Sequence, residues 1–142
     1  MKAIPPIKSV MTPFPHWIEV DEPLARARDV MAEHEIRYLP VMERGKLVGV
    51  LTEKDMRKAE TSGGTDGDDT LVKDVCDLEA YVVGLSEPLD HVLSEMADKH
   101  IGSALVVKDG KLAGIFTLTD ACRCFEKLLH SLFPTGGNDN AA

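Results

Sequence analysis

The sequence predicts an α/β (α+β) fold: two βαββα units packed sheet to sheet about a pseudo-two-fold axis. Three observations carry that expectation. The chain matches itself without a gap at an offset of 65 residues, so that Glu22-Pro23-Leu24 recurs as Glu87-Pro88-Leu89 and Gly45-Lys46-Leu47 as Gly110-Lys111-Leu112. Comparing 10–55 with 75–120 gives 14 identities in 46 positions, where ordinary residue usage gives roughly three. Within each copy the apolar period switches from that of a strand to that of a helix and back. One copy alone is too small to bury a good core, and two copies facing each other solve that.

The elements follow in the same order in both copies. His16 to Val20 and Tyr81 to Leu85 read as short strands, rich in aromatic and β-branched residues. Asp21 and Ser86 stand where helix N-caps are expected, with Pro23 and Pro88 in the first turn. The helices that follow carry Leu24, Ala27 and Met31, and Leu89, Val92, Leu93 and Met96, at core spacing. A hairpin comes next. Tyr38 to Glu43 returns as Lys46 to Leu51 through Arg44-Gly45, and Ala104 to Lys108 returns as Lys111 to Phe116 through Asp109-Gly110. Asp-Gly is a strong type I′ signal. Second helices open at Thr52 and Thr117, the latter continuing as an apolar stripe of Ala121, Phe125, Leu128, Leu129 and Leu132. Strand–helix–strand order implies a right-handed crossover and a parallel pair. The repeats span 7–60 and 71–133; 61–70, Gly-, Ser- and Asp-rich, reads as a flexible linker and 134–142 as a disordered tail.

Composition excludes several classes. An apolar share of 44% with 28% charged suits a globular domain. A net charge of −8 argues against nucleic-acid binding. Cys76, Cys122 and Cys124 are odd in number and form no C-x-x-C, which points to free thiols in a reducing, cytoplasmic setting. No apolar run is long enough to span a membrane, and no signal peptide is expected. Cys122-x-Cys124 on a helix point about 200° apart and cannot grip one ion. The five histidines show no H-x-x-x-H spacing, and no P-loop or nucleophile–base motif occurs. Neither a metal site nor an enzyme is expected.

The segments that carry chemistry are Gly49-Val50-Leu51-Thr52-Glu53-Lys54-Asp55 and Gly114-Ile115-Phe116-Thr117-Leu118-Thr119-Asp120. Each is a strand end followed by Thr-x-x-Asp opening a helix. The plain explanation is a capping box, with Thr as N-cap and an acid three residues on. The same atoms also suit a ribose-phosphate. Helix N–H groups suit a phosphate, and an acceptor-only carboxylate takes both donors of a vicinal diol.

At this point the chain resembles the CBS family, over about residues 7 to 130. The resemblance rests on Val10-Met11-Thr12-Pro13, Ile36-Arg37-Tyr38-Leu39-Pro40-Val41, Ile101-Gly102-Ser103-Ala104-Leu105-Val106-Val107 and the two glycine-led segments, in this order and repeated. It implies a Bateman module, a tandem pair whose clefts hold AMP, ADP or ATP (with Mg2+ as a companion to the phosphates), or S-adenosylmethionine, NAD or a cyclic dinucleotide. Carried onto this sequence, it implies one site of Thr52, Asp55, Arg37 and Tyr38 and another of Thr117, Asp120, Gly102 and Ser103. Ile18, Val83, Phe14 and Ala80 would wall the adenine, and Lys54, Arg57, Lys58 and Arg123 would lie near the phosphates. The resemblance also implies a homodimer with helices such as Leu89–Asp98 and Ala121–Leu132 at its interfaces.

The copies are unequal. Arg37 aligns with Gly102, Tyr38 with Ser103, Lys54 with Thr119 and Arg57 with Cys122. Two sites of different affinity are expected, the second being roomier for a base. The expected role is a non-catalytic sensor of adenine nucleotide that acts on an unknown partner in trans. The alternatives are a ligand-free dimerisation scaffold and a binder of another adenosyl ligand.

Overall fold

Two hairpins form the centre of the molecule, and each is closed by a turn that the sequence dictates. The computed structural model describes residues 3–62 and 69–134. In its first half come β1 (Thr12–Pro13), β2 (Ile18–Glu19), α1 (Leu24–His34), β3 (Tyr38–Glu43), β4 (Lys46–Thr52) and α2 (Glu53–Ser62). The second half holds β5 (Val82–Gly84), α3 (Leu89–Lys99), β6 (Ser103–Lys108), β7 (Lys111–Thr117) and α4 (Leu118–Leu132). Arg44 and Gly45 at the first turn have φ of 53° and 81°, and Asp109 and Gly110 at the second 53° and 79°. Two successive left-handed residues make a type I′ turn, whose twist matches that of the strands. β2 pairs parallel with β3, and β5 with β6, while each hairpin pairs antiparallel. The βαββα order is therefore present twice.

Three local expectations are corrected. Asp21 and Ser86 do not cap α1 and α3; the N-cap residues are Pro23 and Pro88, with no side-chain cap. Their extended backbone lets outside carbonyls satisfy the helices instead. The Leu24 N–H donates to Thr70 O and the Leu89 N–H to Pro5 O, at 2.8 and 3.0 Å. The first strands are shorter than their β-branched content suggests. Leu93 lies at the surface of α3, off its buried face of Leu89, Val92 and Met96. Of the expected linker, Thr61 and Ser62 close α2, and 63–68 lie outside the described residues, as do 135–142 of the expected tail.

The segment leading into each repeat crosses to the other one. β1 pairs antiparallel with β7, giving a four-stranded sheet β1-β7-β6-β5, and the other sheet is β2-β3-β4. Reciprocally, Asp77 bridges Val50 of β4, with N–H···O bonds of 2.9 and 3.0 Å. Ile7 is buried in the core of the second repeat beside Val92, Met96 and Phe116, whereas Val72 is buried in the first beside Leu24, Leu39 and Leu51. Gly49 is tight against this arrangement, because a Cβ there would collide with the Asp77 carbonyl. A third cluster of Val50, Leu105 and Ile115 joins the sheets, with Tyr38, Leu47 and Ala80 against it. No helix among the described residues is long and apolar enough to cross a membrane.

Candidate ligand-binding site

A cleft of about 1020 Å³ opens between the two repeats. Its floor and walls come from both. The end of β4 and the start of α2 give Val50, Thr52, Lys54, Asp55, Arg57 and Lys58; the head of β3 gives Arg37 and Tyr38. The exchanged segment supplies Asp77 and Ala80 and leads on to Val82, and the second repeat adds Ile101, Gly102 and Ser103. Strand-to-helix junctions place polar groups here because β4 must end where α2 begins. Apolar Val50, Ala80, Val82 and Ile101 alternate with those polar groups, a lining suited to a flat heterocycle with a polar tail.

Both Thr-x-x-Asp segments form capping pairs, with different consequences. In the first, the Asp55 N–H donates to Thr52 Oγ1 at 3.0 Å and the Thr52 N–H to Asp55 Oδ2 at 3.3 Å. Among the described residues Asp55 Oδ1 has no hydrogen-bond partner. In the second, the Thr117 N–H and hydroxyl both donate to Asp120 Oδ2, at 2.9 and 3.1 Å. The other oxygen, Oδ1, accepts from the Thr12 hydroxyl at 3.2 Å. Asp120 is thus engaged at both oxygens, and Asp55 at one.

The structure regroups the residues singled out in the sequence. Thr52, Asp55, Arg37, Tyr38, Lys54, Arg57, Lys58 and Ala80 line the cleft, and so do Gly102 and Ser103, which sequence reasoning had placed with Thr117 and Asp120. The reason is the pseudo-dyad. The heads of β3 and β6 meet there, and Tyr38 reaches over Gly102 so closely that a Cβ at 102 would collide with its hydroxyl. Thr117, Asp120 and Arg123 do not line this cleft. Ile18 and Val83 point the other way, into the two cores. In a strand, neighbouring side chains face opposite sides, so Val82 rather than Val83 faces the cleft. Phe14 is 90% exposed and lies outside it. Asp77, Tyr81, Lys99 and His100 line the cleft unforeseen; the 65-residue offset maps Asp77 onto Thr12 but does not reveal the exchange that brings it here.

Burial pushes the Tyr81 phenol up, with Glu87 and Glu95 adding to the effect. Burial also pushes up the Cys76 thiol; a backbone hydrogen bond opposes this, and the Asp55, Asp77 and Asp74 carboxylates add to it. The three cysteines are free, and no group of three or more potential metal ligands occurs among the described residues.

The CBS-domain family model matches residues 7–62 and 72–127, one match per repeat. The chain belongs to the CBS-domain family. Its CBS pair superposes on that of protein MJ0100, solved in complex with 5′-methylthioadenosine and S-adenosyl-L-methionine, with a TM-score of 0.80 and 26% identity over 88% of this chain and 98% of that one. A similar superposition, TM-score 0.81 at 25% identity, is found with a putative acetoin utilization protein of Vibrio cholerae, over 90% of this chain and 95% of that one. In sequence, it is 29% identical over 114 residues to the CBS domain-containing protein YhcV of Bacillus subtilis, covering 80% of this chain and 81% of the relative. It is also 29% identical over 121 residues to L-aspartate semialdehyde sulfurtransferase of Methanocaldococcus jannaschii, covering 84% of this chain but 23% of the enzyme. The CBS pair therefore spans under a quarter of that relative.

Proposed function

We propose that this CBS pair is a regulatory, non-catalytic sensor of an adenine nucleotide (AMP, ADP or ATP), bound in the Asp55 cleft. The observation that carries it is the Oδ1 of Asp55, without a hydrogen-bond partner among the described residues, beside a capping threonine and an apolar wall. The carboxylate would accept both ribose hydroxyls, which are donors it can serve at once. Val50, Ala80, Val82 and Ile101 would enclose the adenine, with backbone near Gly102 at its edge. The neighbouring CBS pair with adenosyl ligands supports the adenosyl part of this reading.

Because the cleft is walled by both repeats, a ligand stabilises whichever packing of the repeats it fits. Regulation then follows from differential affinity for two states, and the output acts on a partner in trans. The second copy of the chain is the other expected partner. Phe125, Leu128, Leu129 and Leu132 make an exposed apolar stripe on α4, which favours a homodimer. The free thiols support a reducing compartment such as the cytoplasm.

Thermal unfolding with AMP, ADP, ATP, S-adenosylmethionine and NAD tests the reading. A ligand at 100 times its Kd adds about 2.7 kcal/mol. Flat melting curves across the whole panel overturn it, as does a ligand shift that survives Asp55→Ala.

A further inference from the structure

Two histidines that lie 18 residues apart in the chain meet at the surface of the first repeat. His16 is on the segment leading into β2, and His34 is in the last turn of α1. Their rings stack with centroids 3.6 Å apart and an interplanar angle of 16°. Both residues are exposed. Among the described residues neither imidazole has a hydrogen-bond or ion-pair partner in the protein, so their ring nitrogens are available. Ordering two exposed side chains against each other costs rotamer freedom, and two protonated rings this close would repel. The repeat architecture does not require the pair. At the 65-residue offset the same positions are Tyr81 and Lys99, and Lys99 is held by Glu95 at 2.7 Å. Val30 stands where Glu95 would be, so His34 lacks that partner.

We propose that His16 and His34 form a two-histidine site for a divalent transition ion of the Zn2+ and Ni2+ class, with water completing the shell. Imidazole nitrogens bind such ions at about 2.0–2.1 Å, which sets two adjacent ligand nitrogens about 2.9–3.4 Å apart. The stack already holds the rings at nearly that separation. Ring nitrogens lie in the ring plane, so binding tilts the two rings toward a shared point. Exposure of both side chains leaves that rotation unhindered. The surroundings favour a cation. α1 ends here, and its last carbonyls are the negative end of the helix. Glu33 and Glu35, both exposed, flank His34 in the chain. Hard ions such as Mg2+ prefer oxygen ligands and are not expected to bind. The ion would tie the entry of β2 to the end of α1 inside one repeat. Neither histidine lines the Asp55 cleft, so this site stands or falls independently of the nucleotide reading.

The site carries its own reporter. Trp17, the chain's only tryptophan, follows His16 and is half exposed. The full chain is titrated with Ni2+, a paramagnetic quencher that does not oxidise the free thiols, while tryptophan fluorescence is read. Saturable quenching is expected, reversed by excess Zn2+ and absent with Mg2+. His16→Gln and His34→Gln should each raise the half-quenching concentration at least about tenfold, since each removes one of two ligands. His130→Gln, on α4, should leave it unchanged. Zn2+ should also raise the Tm of the intact protein, because it binds the folded pair and the unfolded chain does not hold it together. His34→Phe keeps a ring against His16 but removes a ligand, and should abolish that rise. Quenching that does not saturate, or that is the same in His34→Gln as in the intact protein, overturns the proposal. So does a Tm that Zn2+ leaves unchanged in the intact protein, the result expected if the stack only packs, and so does a Zn2+ shift that persists in His34→Phe.

Discussion

The Thr12 hydroxyl donates to Asp120 Oδ1 at 3.2 Å, joining the entry segment of the first repeat to the helix start of the second. Its counterpart in the Asp55 cleft is Asp77, an acceptor that turns onto the backbone of Glu79 and gives Asp55 nothing. The two Thr-x-x-Asp sites therefore begin from different states. One carboxylate is held by the protein and the other is available. One nucleotide per chain is expected in a titration at moderate concentration. Asp55→Asn should weaken it about tenfold or more, since a charge-assisted bond is lost. Asp120→Asn should change it by less than about threefold, because its oxygens already serve the fold. Calorimetry gives both stoichiometry and affinity, and two equal sites would contradict this account.

The exchange of entry segments makes a second prediction. Ile7 precedes the first repeat's strand yet is fully buried in the core of the second repeat. Ile7→Ala should destabilise by about 2–5 kcal/mol, the range for an aliphatic side chain removed from a core. Ile4→Ala, at a site 55% exposed, should stay within about 0.5 kcal/mol. Urea unfolding of the two variants checks the contrast.

That exchange also marks where sequence reasoning stops. The hairpins, both turn sites and the Thr-x-x-Asp helix starts were legible because each rests on local chemistry: alternation, a left-handed turn pair, a cap. The destination of residues 3–14 was not, because Pro5, Pro6, Pro13 and Pro15 erase any strand periodicity and the pairing partner lies about a hundred residues away. That Gly102 and Ser103 line the Asp55 cleft was not legible for a related reason. Alignment by repeat keeps them with Asp120, but contact across the pseudo-dyad puts them opposite Tyr38. Ile18 and Val83 failed at finer grain, since one residue along a strand reverses the face.

Tyr38 over Gly102 is a packing relationship with a measurable coupling. Gly102→Ala puts a methyl group into the Tyr38 ring and hydroxyl, and overpacking of this kind costs about 1–3 kcal/mol. Tyr38→Ser, which installs the residue found at the equivalent position of the second repeat, should remove most of that cost. A double-mutant cycle on thermal or urea stability should give a coupling of at least about 0.5 kcal/mol. Additive effects would mean that Tyr38 moves aside freely.

The cysteines should differ in reactivity. Burial, first, with nearby carboxylates raises the Cys76 thiol, and burial with Asp120 raises Cys124 against the opposing Lys127. Cys122 is exposed. Under native conditions Cys122 should be alkylated first, followed by the other two, as mass spectrometry of a timed iodoacetamide reaction will show. The sign for stability follows from the raised values. The folded state holds the proton more tightly than the unfolded one, so the contribution is intact below the ordinary thiol range and is lost as pH climbs through it. Cys76→Ala should flatten the alkaline limb of the stability profile.

The last prediction concerns α4. Ala121 and Cys124 pack on the core of the second repeat, while Phe125, Leu128, Leu129 and Leu132 turn away from it, each at least 40% exposed. α2, in the equivalent place, offers Lys54, Arg57, Lys58 and Glu60 instead. An apolar stripe on one helix and charges on its counterpart favour pairing of α4 with α4 of a second copy, since a two-fold interface buries like against like. Leu128→Glu with Leu132→Glu should therefore convert a dimer to a monomer in sedimentation equilibrium. Both residues are already solvated within the monomer, so its fold, read by circular dichroism, should be unchanged. A wild-type chain that stays monomeric at every concentration would assign the stripe to a different partner, and loss of the fold in the variant would place these leucines in the core instead.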